Sequence, residues 1–386
     1  MNMRIRAGIL ALIGGCFLCA DAALAQEVQT VHGIPVTETQ EQLLDAMTLE
    51  EKVAQMFFIT PEALTGASPV TGAGEQTRQC YSEYPVGGII YFQQNLLSRE
   101  QISDMLEHMQ QISMERTGLP VFLAVDEEGG RVSRLYGAVS DIPYVGDMYT
   151  VGTTGDPEQA YVAGNTIGTY LKSLHFNVDF APVADIYSNP ENTVIGDRAF
   201  GSDAATVSDM VPMAVKGLQD AGIEATLKHF PGHGDTAADS HSGYASSSKS
   251  LEELEAFEWE PFRAGIEAGA GFVMVGHISL PVVLGDRTPA SLSSQLVSRA
   301  LREELGFRGI IITDALNMGA IAANYSSAEA AVKAVQAGAD MLLMPEDFFS
   351  AYEAVCRTVR EGEIPETRIN ESVLRILQNK EKLHTD

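Results

Sequence analysis

The stretch Val121-Phe122-Leu123-Ala124-Val125-Asp126 is an apolar run that stops at a carboxylate, and its form repeats along the chain. Runs this short, rich in β-branched and aromatic residues, read as strands buried on both faces. Working outward, seven more occur, so the predicted strands cover residues 55–59, 89–92, 121–125, 177–181, 225–229, 272–276, 310–314 and 341–344. Between them lie longer stretches of helical period, for example Ile102, Met105, Leu106, Met109 and Ile112 on one helix face. Capping boxes predict three helix starts: Thr48 with Glu51, Ser250 with Glu253 and Ser326 with Glu329.

Eight strand–helix alternations with no run of adjacent hairpins predict a closed α/β architecture, a (β/α)8 barrel of the TIM type. An open doubly wound sheet would carry a glycine-rich turn after its first strand, and Ile59-Thr60-Pro61 stands there instead. The loops at 60–86 and 231–250 are long and polar, and both follow strands, which in a barrel puts them on the catalytic face.

Composition excludes several classes of function. The 386 residues are 45% hydrophobic and 20% charged, as in an ordinary globular protein. A formal net charge of -27 repels a nucleic-acid backbone, so no nucleic-acid partner is expected. Arg4 and Arg6, an apolar stretch over 7–20 and Ala23-Leu24-Ala25 predict a signal peptide over 1–25 and export to the periplasm or outside the cell. The mature catalytic domain is then 26–386, with no later stretch apolar enough to span a membrane. Ile13-Gly14-Gly15-Cys16 resembles a lipoprotein processing box and leaves a lipid anchor at Cys16 open as an alternative. Cleavage after Ala25 leaves only Cys80 and Cys356, too few for a disulfide framework or a four-cysteine metal site.

In a barrel, polar residues at the ends of apolar runs converge on one mouth. This selects Asp126, Lys228, His229, His277 and Asp314. Asp314 could also cap a helix beginning at Ala315. The segment from Lys228 to His241 holds three of the eight histidines and admits a metal site or a sugar site with an acid/base pair. His229 and His233 have zinc-pair spacing, but Pro231-Gly232 between them breaks a helix and separates their faces. Asp239 and His241, two apart on an extended loop, emerge on one side, where the carboxylate can orient the imidazole.

Lys228-His229-Phe230-Pro231-Gly232-His233-Gly234, followed by Asp239-Ser240-His241, resembles the signature of the β-N-acetylglucosaminidases of glycoside hydrolase family 3. In family order stand Asp126-Glu127-Glu128-Gly129-Gly130-Arg131-Val132-Ser133-Arg134, then Ile195-Gly196-Asp197-Arg198, then Gly309-Ile310-Ile311-Ile312-Thr313-Asp314. The resemblance covers nearly the whole mature chain. It implies Asp314 as nucleophile, His241 as proton donor and then base, Asp239 as its partner, and Asp126, Arg134, Arg198, Lys228 and His229 as sugar-binding residues. It also implies no metal or other cofactor, and a substrate with terminal β-linked GlcNAc, such as muropeptide fragments of peptidoglycan. Ala315 departs from the acidic or polar residue of many relatives, which bears on fine substrate preference. The resemblance favours the single-domain branch, without the C-terminal sandwich of many β-glucosidases. A sibling β-glucosidase or xylosidase, and a metal-dependent hydrolase on the same barrel, are the alternatives. His233, Asp235 and His277 read as supporting groups.

Overall fold

The computed structural model describes residues 30–31, 33–238 and 245–383. The predicted signal peptide over 1–25, Cys16, Asp239 and His241 lie outside the described residues. Eight strands form one sheet: β1 (Phe57–Ile59), β2 (Gly88–Ile90), β3 (Phe122–Val125), β4 (Val178–Asp179), β5 (Glu224–Phe230), β6 (Phe272–Val275), β7 (Ile310–Thr313) and β8 (Leu342–Leu343). They pair in parallel in the order β8-β1-β2-β3-β4-β5-β6-β7. A parallel bridge between Ile312 and Met341 joins the two ends, and the Thr313 N–H donates to the Met341 carbonyl at 3.1 Å. The sheet is therefore a closed barrel, as the alternation predicts.

Each expected run contains a strand, but several strands are shorter. Gln55 ends the helix Leu49–Gln55 instead of opening β1, and its amide donates to the Pro85 carbonyl at 2.6 Å. Phe92 and Met344 lie past the ends of β2 and β8, where the chain turns and their side chains line the barrel mouth. The three expected capping boxes form at Thr48, Ser250 and Ser326. A fourth, Thr37 with Gln40, opens the helix Glu38–Ala46. On the helix Arg99–Thr117, the five residues of the predicted apolar face are all buried.

Phe58 of β1, Phe122 of β3 and Phe272 of β6 touch although their strands are not neighbours, so their rings meet across the lumen. Phe180, just after β4, packs on Phe58 with centroids 5.2 Å apart. The lumen is a packed core and leaves no pore. Below it, the C-terminal helix Glu366–Lys382 closes the barrel. Buried Asp340 accepts from the Ile311 N–H, Ser372 and Arg375 at 3.0, 2.8 and 3.0 Å, and pairs with Arg302. Lys380 reaches up under the Phe122 ring and donates to Gln55 Oε1 at 2.7 Å.

Above the barrel, Ala237–Ala238 pairs antiparallel with Ala245–Ser246, which runs parallel to Ile278–Ser279. This small sheet ties both stems of the histidine-rich loop to the segment after β6. Among the described residues no helix is long and apolar enough to cross a membrane, and Cys80 and Cys356 are unpaired.

Candidate active site

The carboxyl ends of the strands surround a pocket in which Asp126, Arg134, Arg198, Lys228, His229 and Asp314 come together from β3, β5, β7 and the loops that follow β3 and β4. Lys228 and His229 are neighbours on β5, and both side chains line the pocket. The peptide bond between them is cis.

An ion cluster forms the polar wall. Buried Lys228 donates through Nζ to Asp126 Oδ1 at 2.9 Å and to Glu128 Oε1 at 2.6 Å. Arg198 grips Glu128 with two parallel bonds, Nε to Oε2 at 2.7 Å and Nη2 to Oε1 at 2.8 Å. Burial by itself would raise the Glu128 pKa, but the two cations overcome it and hold the carboxyl down at about 2. Burial likewise disfavours the Lys228 ammonium, and the Asp126 and Glu128 carboxylates reverse this, leaving its pKa above the ordinary value. Glu128 and Lys228 therefore both stay ionised at neutral pH. The cluster presents fixed donors and an acceptor to the pocket. Arg134 stands 3.7 Å from Asp126 and lies over the Phe92 ring at 5.8 Å.

Asp185 organises the histidines. Fully buried, it accepts from His229 Nδ1 at 2.7 Å, from the His229 N–H at 3.1 Å and from the His233 N–H at 2.6 Å. Because an ionised carboxylate only accepts, His229 carries its proton on Nδ1, and Nε2 faces the pocket 3.5 Å from Arg198 Nη2. Burial lowers the His233 pKa, and Thr236 Oγ1 lies 2.8 Å from its Nδ1. Gly234 allows this packing, since a Cβ there would sit 1.7 Å from the Ile186 carbonyl oxygen.

Asp314 lies half-buried at the end of β7. Its Oδ1 accepts from the Ala315 N–H at 2.7 Å, and among the described residues nothing donates to Oδ2. No helix starts at Ala315, so Asp314 does not act as an N-cap; the next helix is Gly319–Ala322. Burial favours the neutral acid, but the imidazoles of His277 and His229, the Ala315 N–H and the Lys228 ammonium bring its pKa below the usual carboxylate value. His277 uses both ring nitrogens behind Asp314, Nε2 donating to the Ala315 carbonyl at 3.0 Å and Nδ1 accepting from Ser291 Oγ at 2.7 Å. Burial lowers its pKa, against the opposing pull of the Asp314 carboxylate.

Residues 48–379 match the model of the glycosyl hydrolase family 3 N-terminal domain. The chain belongs to glycosyl hydrolase family 3. It is 33% identical to Beta-hexosaminidase A of Pseudoalteromonas piscicida over 327 residues, 78% of this chain and 54% of that protein. It is 34% identical to a Beta-hexosaminidase of Stenotrophomonas maltophilia over 289 residues, 72% of this chain and 83% of the relative. The solved family 3 β-N-acetylglucosaminidase from Paenibacillus sp. str. FPU-7 superposes with a TM-score of 0.81 at 40% identity, over 88% of this chain and 63% of that one. The chain thus spans about half to two-thirds of the longer relatives and most of the shorter one.

Within this family 3 barrel, Glu128, Asp185 and Glu127 are site residues to which the sequence reading assigned no role. Glu127 is buried and accepts from the Arg134 N–H at 2.7 Å, the Leu135 N–H at 3.2 Å and Tyr170 at 2.9 Å, fixing the loop that carries Arg134. Both glutamates sit in the quoted Asp126–Arg134 motif, where consecutive acids beside arginines are the available signal. Asp185 stands four residues beyond the predicted strand end at Ala181, outside the reach of strand-end logic. Asp235 accepts from Ser247 Oγ at 2.8 Å and so links the loop stems, away from the pocket lining. Among the described residues no group of three His, Cys, Asp or Glu side chains is arranged to hold a metal ion.

Proposed function

We propose that this protein is a retaining exo-β-N-acetylglucosaminidase that removes terminal β-linked GlcNAc, with Asp314 as nucleophile and His241, tuned by Asp239, as acid/base. The observation that carries the reading is Asp314 itself: a carboxylate kept ionised in the pocket, one oxygen without a donor among the described residues, beside the Asp126–Lys228–Glu128–Arg198 cluster. The β-hexosaminidase names of the relatives support an acetamido sugar over glucose or xylose. Asp126, Lys228, Arg198, Arg134 and His229 Nε2 bind the sugar hydroxyls.

In the first step, a bond forms between Asp314 Oδ2 and the anomeric carbon while the glycosidic C–O bond breaks, and His241 passes its proton to the departing oxygen. In the second, a water oxygen bonds to the anomeric carbon, the bond to Asp314 breaks, and His241 takes the water's proton. Two inversions retain the β-configuration. Phosphate in place of water would give a sugar phosphate, which product analysis detects. The N-terminal pattern supports export, with cell-wall fragments carrying GlcNAc as the substrate class.

Initial rates on aryl β-N-acetylglucosaminide and aryl β-glucoside test the reading, with Asp314→Ala and a chelator as controls. The acetamido sugar is expected to be cut, and Asp314→Ala to lose activity by roughly 10,000-fold or more. A preference for the glucoside would replace it with the sibling glycosidase. Full activity in the variant, or chelator sensitivity, would overturn the mechanism.

A further inference from the structure

We propose that Tyr136, Tyr144 and Val194 form an outer sugar-binding surface on the rim of the pocket, one that takes the pyranose ring of the leaving group. The proposal rests on the reading of the reaction given above. Tyr136 is 48% exposed, Tyr144 60% and Val194 55%, among the few large apolar side chains of the described residues left to solvent. The two tyrosine rings lie 4.9 Å apart at 51°, giving an open aromatic corner. Val194 lines the pocket itself. Tyr136 follows the pocket residue Arg134 by two positions, so their Cα atoms are at most about 7 Å apart.

The rim is built to hold its shape. Arg131 donates to the carbonyls of Thr193, Val194 and Ile195 at 3.2, 2.8 and 2.8 Å and pairs with Asp197 at 2.7 Å, tying the loop after β3 to the loop after β4. Arg198 Nη1 donates to the same Val194 carbonyl at 3.1 Å, a further tie between this loop and the pocket wall. The Gly130 N–H donates to the Val145 carbonyl at 2.9 Å beside Tyr144, and buried Leu135 and Val139 anchor the backbone on either side of Tyr136. Gly129 and Gly130 take φ of +87° and +53°, and a Cβ on either would come within 2.9 Å of the 146–147 backbone. A surface already ordered loses little entropy on binding.

The geometry of an exo-acting pocket decides the occupant. The terminal sugar fills the polar pocket, the bond to be cut lies at its mouth, and the next residue of the substrate emerges over the rim. A pyranose presents an apolar face of C–H groups edged by hydroxyls, which matches amphipathic tyrosine rings better than a charged or purely aliphatic group does. A chain of net charge -27 gives an anionic group no general attraction, and the three side chains of this surface are uncharged.

The test compares kcat/KM on methyl β-N-acetylglucosaminide, whose leaving group has no ring, with kcat/KM on N,N′-diacetylchitobiose, for the full chain and for Tyr136→Ala, Tyr144→Ala and Tyr136→Phe. Each alanine variant is expected to lose about tenfold on the disaccharide, mainly through KM, and to stay within about twofold on the methyl glycoside. Tyr136→Phe keeps the ring and is expected to keep the disaccharide activity. Equal losses on both substrates, or none on either, would overturn the outer surface while leaving the reaction in place. A wild-type chain that cleaves neither substrate would overturn the reaction and this surface with it.

Discussion

Glu128→Gln removes one negative charge from beneath Lys228 and Arg198, and its effect can be worked from the structure. The carboxyl titrates at about 2 in the folded chain against 4.5 when unperturbed. That difference of about 2.5 pH units corresponds to about 3 kcal/mol of stability at neutral pH. The cost of breaking a buried ion cluster, about 3–5 kcal/mol, agrees with it. Because the folded pKa is the lower one, this stability is fully present above 4.5 and is lost as the pH falls toward 2. At pH 3.5 about 1 kcal/mol of it is gone and about 2 kcal/mol remains. Urea unfolding of wild type and Glu128→Gln at pH 7 and pH 3.5 is therefore expected to give a gap of about 3 kcal/mol that narrows to about 2 kcal/mol. The variant is also expected to bind the sugar more weakly, since Lys228 and Arg198 lose the carboxylate that fixes them. A gap that is the same at both pH values, or absent at pH 7, would refute the view that Glu128 is the ionised centre of the cluster.

Two further predictions concern the histidine pocket and the base of the barrel. Asp185→Asn frees His229 from its fixed tautomer, and losing this charge-assisted bond is expected to cost about 10–100-fold in kcat/KM; steady-state kinetics with an unfolding control checks it, and unchanged kinetics would sink it. Burial lowers the Lys380 pKa to about 7, so the folded chain sheds that proton between about 7 and 10.5 while the unfolded chain keeps it, and stability from this group rises with pH across that window. Wild type is then expected to gain about 2 kcal/mol relative to Lys380→Met between pH 7 and pH 9, read from urea midpoints; parallel pH profiles would show that burial does not perturb the ammonium.

Much of the architecture was legible in the order of residues. Each apolar run contains a barrel strand because a strand covered on both faces needs unbroken hydrophobicity, a local property. The strand-end residues Asp126, Lys228, His229 and Asp314 reach one pocket because parallel strands bring all their carboxyl ends to the same side. His277 obeyed the same rule at the sequence level, yet its ring turns behind Asp314, where Ser291 and the Ala315 carbonyl take both nitrogens. Those partners lie 14 and 38 residues away, and no local pattern announces them.

What the sequence alone determined was therefore the number and direction of the strands, the side of the barrel that bears the chemistry, and the motif residues that face it. What only the tertiary structure decided was the pairing: Glu128 with Lys228 and Arg198, Asp185 with His229, and the closure of Ile312 on Met341. The physical reason is that hydrophobic period acts over a few neighbouring residues. The charge and hydrogen-bond partners of a buried group are whichever ones folding carries within about 3 Å of it, however far apart they stand in the chain.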